Sequence, residues 1–336
     1  MQNGRRYNSI DLFKLIMAIC VVAIHTHPLE YCNSSIILEI YESVVRLAVP
    51  FFFMASGFLM AGRFDDNWES PNNIAVVQST LNRIVKMYVL WTIIYLPMGI
   101  YHYIDEGYSV AGTVLYYVRG FLFVGEQYNS WPLWYLLATI YALLLILLLM
   151  KLNVKRTGML IAGLVCLILS ILITWFVSYE GNMPQAVSTM QNLLIISIAE
   201  GRIFTGAFYI PLGMALYKKR LPGVVNAVLL TVGFLLNVLF VSDEISSVLI
   251  AITSIGLFGL IISMNLKDAP FYSYARKMST AIYLIHMYIW TGYYMLIYGN
   301  KTYGVDSWIV TTIVSAAVAS IWLILKNRYK NRALEG

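Results

Sequence analysis

Ten apolar runs punctuate the chain, at residues 10–29, 44–62, 84–104, 132–150, 157–178, 201–217, 223–241, 247–265, 279–299 and 307–325. Most approach the roughly 20 residues that an α-helix needs to cross about 30 Å of hydrocarbon, and the hydrophilic segments between them are short. The pattern predicts an all-α polytopic membrane protein with about ten transmembrane helices. Gly201, Gly206, Pro211 and Gly213 predict a bend in the sixth helix. Residues 110–124, apolar and aromatic with glycines toward either end, read as an interfacial or re-entrant segment.

Charge orients these runs. Ten spans place both termini on one side of the membrane. With that side cytoplasmic, 18 of the 23 Lys and Arg fall in inner segments and only Arg46, Arg119, Arg202 and Lys301 fall outside, with Lys14 inside the first run. The acidic residues show the complementary bias, with Glu39, Glu42, Asp105, Glu106, Glu126 and Asp306 among those on the outer side. Both termini are therefore expected in the cytoplasm, and the location expected is a bacterial cytoplasmic membrane.

Composition narrows the classes further. Of 336 residues 60% are hydrophobic and 12% charged, against about 45–50% and about 25% in soluble domains. The spans use the whole length, so a single membrane domain, residues 1–336, is expected. The first run carries Asp11 and Lys14 and has no A-x-A-like site behind it, so no cleavable signal peptide is expected. Cys20, Cys32 and Cys166 lack the paired spacing of a metal or redox site and read as small apolar residues. The net charge of +6 is spread over short loops rather than gathered on one basic face, so no nucleic-acid partner is expected.

Ionisable residues inside spans are costly and tend to mark function. The first two runs are dense in them: Asp11, Lys14, His25 and His27 on the first, and Arg46 opening the second, which continues through Pro50 to Ser56 and Gly57. Asp11 and Lys14 share a helix face, but Asp11 and His25 are 14 positions apart, about 21 Å along a helix. His25 suits a general base acting on a hydroxyl, or a hydrogen bond to a neighbouring helix. Pro50, Ser56 and Gly57 would open a bend or let backbones approach. Arg83 and Lys86, three apart on one face, would clamp phosphates or simply satisfy the charge rule at an inner helix end.

Trp134 and Tyr135, beginning the fourth run, read as an aromatic belt or a substrate platform. Glu200 and Arg202 flank Gly201 at a membrane edge, where they would be solvated or would line a cavity. Tyr283 and His286 lie in the ninth run, where the imidazole would be structural or functional. No metal is expected, because no H-x-x-x-H pair or clustered carboxylate set occurs. Nor is there a Walker motif or a dinucleotide G-x-G-x-x-G.

These residues in this order resemble the acyltransferase 3 family of bacterial membrane proteins. The resemblance runs through Ile10-Asp11 to Lys14 and on to His25, Arg46 through Pro50 to Ser56-Gly57-Phe58, Arg83-x-x-Lys86, Leu133-Trp134-Tyr135, and Ser279 through Tyr283 to His286. It implies a ten-span membrane O-acyltransferase that moves an acyl group, normally acetyl, from cytoplasmic acetyl-CoA to a hydroxyl of an envelope glycan or other extracytoplasmic acceptor. It also implies His25 as the catalytic histidine, with Asp11 of the same motif in the catalytic set. Arg83, Lys86 and Lys14 would serve the acyl-CoA donor, and Arg46, Ser56, Trp134, Tyr135, Glu200 and Arg202 the substrate. Lys14 and Lys86 stand where the family commonly has arginine, keeping the charge without the bidentate fork.

Within the family, the wording from Val22 through His25 to Pro28, and from Arg46 to Gly57, is similar to the membrane domains of VanT-type serine racemases of vancomycin resistance. That likeness implies an alternative role: L-serine binding or transport in service of a serine racemase domain, with Glu200 and Arg202 at the two ends of the zwitterion.

Overall fold

The computed structural model describes residues 7–198, 201–240, 243–299 and 303–335, with the side chains of 243–244, 327 and 329–335 outside it. All regular structure among the described residues is helical: α1 Asn8–Thr26, α2 Ser35–Val45, α3 Ala48–Ala61, α4 Pro71–Asp105, α5 Val110–Arg119, α6 Leu133–Lys151, α7 Arg156–Ser178, α8 Gln185–Ile198, α9 Thr205–Lys218, α10 Gly223–Leu239, α11 Asp243–Ser263, α12 Pro270–Tyr293 and α13 Val305–Glu335. Single π turns follow α5 and α12, and a 3-10 turn, Arg202–Phe204, precedes α9.

Local sequence explains where the helices stop. α1 ends because His27 takes a left-handed conformation (φ 40°), its N–H donates to the Ala23 carbonyl at 3.0 Å, and Pro28 cannot continue the helix. The second apolar run, expected as one span over 44–62, belongs to one membrane-crossing stretch, Ser35–Ala61, built from two helices with a break at Arg46 and Leu47. Pro50 causes it: in an unbroken helix its ring would strike the carbonyl of residue 46, whereas in the first turn of α3 its missing N–H costs nothing. The third run also grows backward, to Pro71, where the Ser70 hydroxyl accepts from the Asn72 N–H at 3.3 Å. Arg83 and Lys86 therefore lie within a 35-residue helix rather than at its start.

Seven helical stretches among the described residues are long and apolar enough to cross a membrane: Asn8–Thr26, Ser35–Ala61, Pro71–Asp105, Leu133–Lys151, Arg156–Ser178, Ile245–Ser263 and Val305–Lys326. They become eight if Gln185–Ile198 and Arg202–Lys218, bent by 56°, form one span. The other two expected spans fall short for different reasons. α10 has 17 residues, and α12 carries Ser273, Arg276 and Lys277 in its first turns. Hydropathy had not marked α8, whose Gln, Ser, Thr and Asn residues interrupt the apolar pattern.

Backbone packing divides the chain into two compact units, Phe53–Pro222 with Ser242–Ala251, and Arg5–Phe52 with Gly223–Val241 and Ile252–Gly336. The first is built on close helix contacts at glycines. A Cβ on Gly57 would lie 2.0 Å from the Ile210 carbonyl oxygen, and one on Gly213 would lie 2.1 Å from that of Met54, so α3 and α9 touch backbone to backbone. The bend expected from Gly201, Gly206, Pro211 and Gly213 falls at the first of them: the 56° turn lies between Gln185–Ile198 and Arg202–Lys218, where Gly201 takes φ 69°, while the other three lie within the single helix α9, whose glycines serve contact. Pro211 frees the Ala207 carbonyl, which faces Gly163 of α7, where a Cβ would sit 2.6 Å from it.

In the second unit α1 and α12 run in the same direction, because Asp11 meets Arg276 near their starts and His25 meets His286 further along both. α13 runs back against them: the Gly304 N–H reaches the Thr26 carbonyl at 3.2 Å and Trp308 Nε1 reaches that of Ile19 at 3.4 Å. Ala18, Val22, Met278, Ile282, Ala319 and Leu323 close the seam between these three helices. The Asn237 amide donates to the Ser43 hydroxyl at 2.6 Å and ties α10 to α2.

Candidate functional site

In the second unit the chemistry gathers around two histidines. The rings of His25 and His286 stack with centroids 5.4 Å apart and planes 27° apart. His286 is wholly buried, and its Nδ1 lies 3.1 Å from the Ile282 carbonyl. A carbonyl only accepts, so Nδ1 carries the hydrogen and Nε2 presents a lone pair, which has no hydrogen-bond partner. Tyr283 stands 6.3 Å from His286, ring to ring, and Phe52 stands 5.9 Å from Tyr283. His286, which sequence reasoning left open between two roles, is thus a ring partner of His25.

Asp11 belongs to the other end of α1. Its Oδ2 lies 3.5 Å from Arg276 Nη1, and the 14 intervening positions separate it from His25 by about 21 Å. The structure therefore does not bring these two members of the catalytic set together. Lys14 lies one turn from Asp11 and is half-buried. Arg46 closes α2 with its N–H on the Glu42 carbonyl at 3.1 Å. Its charge and that of His27 both reach the Glu42 carboxylate. His27 is exposed and meets the Tyr303 ring edge-on at 4.8 Å.

In the first unit the Ser56 hydroxyl and the Tyr135 hydroxyl are hydrogen-bonded at 3.2 Å, and the Phe53 ring lies 4.5 Å from that of Tyr135. Gly57 is what allows α3 this close to its neighbours. Arg83 of α4 is within electrostatic reach of Tyr135 and of Arg63. Arg63, which sequence reasoning counted only toward orientation, donates to the Thr80 hydroxyl at 2.7 Å. Desolvation, and then the like charge of Arg83, push its guanidinium below its usual pKa. Two guanidiniums held near each other attract an anion, and the turn Gly62–Arg63 after α3 was the signal for the second one. Lys86 is exposed one turn beyond Arg83.

Arg202 pairs with Glu126 at 3.9 Å and lies 6.0 Å over the Trp134 ring. Its expected companion, Glu200, lies outside the described residues. Among the described residues no group of three or more His, Cys, Asp or Glu is placed to hold a metal ion.

Residues 7–326 match the model of a family described as an acyltransferase domain, Acyl_transf_3. Two curated amino-acid racemases from Enterococcus faecalis are similar to the chain. One is 35% identical over 44% of this chain and 20% of its own length, and the other 30% identical over 50% and 22%. A serine/alanine racemase from Enterococcus gallinarum is 35% identical over 46% of this chain and 21% of its own. The chain therefore spans about a fifth of the length of the curated relatives it matches. No solved structure matches it.

Proposed function

Because the chain belongs to the Acyl_transf_3 family of acyltransferases, we propose that it is an O-acyltransferase of the bacterial cytoplasmic membrane. It takes an acetyl group from cytoplasmic acyl-CoA and gives it to a hydroxyl of an extracytoplasmic envelope acceptor. The reading includes ten spans and cytoplasmic termini, with α10 and α12 as the two spans that length and hydropathy miss. The parallel run of α1 and α12, with α13 reversed, supports it: first and ninth spans cross in one sense and the tenth in the other.

His25 accepts the proton of the acceptor hydroxyl, whose oxygen attacks the thioester carbonyl carbon. The carbon–sulfur bond then breaks, and the proton ends on the CoA thiol. Arg83 and Lys86, with Lys14, are assigned to the donor phosphates. Ser56, Tyr135, Trp134 and Arg46 are assigned to the substrate. Asp11, paired with Arg276, orders the start of α1. The observation that carries the reading is the stacked pair of His25 and buried His286 inside a helical bundle.

Transfer of labelled acetyl from acetyl-CoA in reconstituted vesicles tests it, scoring hydrolysis as well as transfer to envelope acceptors. Loss of acetyl-CoA that disappears in His25→Ala is expected; equal turnover in that folded variant would overturn the assignment.

The racemase relatives favour a second reading, an L-serine binding or transport domain acting with a serine racemase domain. It predicts saturable L-serine binding with no consumption of acetyl-CoA, weakened by Arg202→Ala.

A further inference from the structure

Helical serines and threonines in this protein regularly return their hydroxyl to the carbonyl one turn back. Thr26 donates to Val22 at 2.8 Å, Thr92 to Tyr88 at 2.8 Å, Thr139 to Tyr135 at 2.7 Å and Ser320 to Ala316 at 2.7 Å. Thr291 of α12 and Thr311, Thr312 and Ser315 of α13 depart from this habit. Their hydroxyl oxygens are shut away from solvent with no hydrogen-bond partner, as is Nε2 of His286. Thr311 and Ser315 are 0% exposed and Thr291 7%. A hydroxyl turned away from its own backbone inside an apolar bundle is costly unless something outside that helix answers it.

These groups fall along one seam. The Tyr274 and Ser320 hydroxyls meet at 2.7 Å, and Ser320 Oγ lies 3.8 Å from Met278 Sδ. In an antiparallel pair each step forward on α12 is a step back on α13, so counting from these two contacts on Ser320 puts His286 opposite residues 308–312 and Thr291 opposite the start of α13. Thr311 and Ser315 are one turn apart on one face of α13. One turn further, Ala319 enters the apolar cluster with Met278 and Ile282, which closes the seam at that end. The polar stretch therefore begins near the α12–α13 connection and ends at the imidazoles.

We propose that Thr291, Thr311, Thr312, Ser315 and His286 Nε2 line a dead-end file of water inside the second unit, leading from the α12–α13 connection to the His25–His286 pair. Hydroxyls both donate and accept, and Nε2 accepts, so water satisfies all five. The file lets protons reach and leave His286, which the helices otherwise enclose, beside the half-buried His25. It stands on packing alone, whatever the reaction at His25.

Water access is tested with single cysteines introduced by Thr311→Cys, Ser315→Cys and Ala319→Cys, in full-length protein whose Cys20, Cys32 and Cys166 are replaced by alanine. A small charged methanethiosulfonate should modify the first two at least ten times faster than the third, in protein that elutes as one species. Thr311→Val gives an independent readout. Where water bridges the hydroxyl, its loss lowers Tm; where the hydroxyl is dry and unanswered, the isosteric methyl raises it. Labelling at the Ala319→Cys rate, or a Tm that holds or rises in Thr311→Val, overturns the file.

Discussion

His25 and His286 come from helices at opposite ends of the sequence and meet ring to ring at 5.4 Å. Their planes lie 27° apart, so the two rings stack where α1 and α12 run side by side. Nδ1 of His286 is engaged by Ile282, which leaves Nε2 of His286 without a hydrogen-bond partner beside the His25 ring.

The two histidines are separable by substitution. His25→Ala should lower acetyl-CoA turnover by roughly 10²–10⁴-fold, the usual contribution of a general base. His286→Phe keeps a ring against His25 and should retain part of the activity. Complete loss in His286→Phe with activity surviving in His25→Ala would reverse their roles. Wild-type activity should rise with pH as the base loses its proton, and this limb should vanish in His25→Ala.

Arg63 and Arg83 predict a donor effect. Losing one charge-assisted phosphate contact costs about 1.5–3 kcal/mol. Arg83→Ala should therefore raise KM for acetyl-CoA by roughly 10- to 100-fold, and Arg63→Gln should act in the same direction. Initial rates against acetyl-CoA concentration decide; an unchanged KM with reduced kcat would remove both from the donor site.

Gly57 is a packing constraint. Its added Cβ would collide with the Ile210 carbonyl at 2.0 Å, backbone that cannot turn aside, so Gly57→Ala should destabilise by about 1–3 kcal/mol. Gly292, in α12, has nothing within 4 Å of an added Cβ, and Gly292→Ala should be neutral or stabilising by up to about 1 kcal/mol. Thermal unfolding of the two variants in one detergent compares them.

The Asp11–Arg276 pair is half open to solvent on the arginine side, so its coupling should be about 0–1 kcal/mol in a double-mutant cycle. A coupling well above that would mean that the pair is more enclosed than its geometry implies.

Asp66 supplies a pH dependence. The hydrogen bond and charge of Lys218 hold its carboxyl below the usual aspartate range. A depressed carboxylate stabilises above its unfolded pKa, near 3.9, and the stabilisation is lost as pH falls through the folded value. Asp66 is fully exposed, so the effect is small: Asp66→Asn should shift Tm by less than about 2 °C at pH 7. The gap to wild type should close below about pH 4.

Several features were legible before any coordinates. α1, α6, α7 and α11 follow their apolar runs to within a few residues, because a long uninterrupted run has one way to satisfy its backbone in lipid. The break at Arg46 follows from Pro50, four residues on, yet hydropathy alone joined the two helices because both sides of the break are apolar. Gly57, Gly206 and Gly213 were visible as small residues, but whether they bend a helix or admit a neighbour depends on what lies across from them.

By itself the sequence determined an all-helical chain, its membrane character, the first and last helices and the cluster of chemical residues on α1 and α3. Those properties follow from local composition and spacing, which act within one helix. Tertiary structure alone decided which distant residues meet: His25 with His286, Asp11 with Arg276, Ser56 with Tyr135 and Arg202 with Glu126. Helix periodicity says which face a side chain occupies, but contact between helices depends on register and on where glycine lets two backbones touch, and neither is written in a single segment.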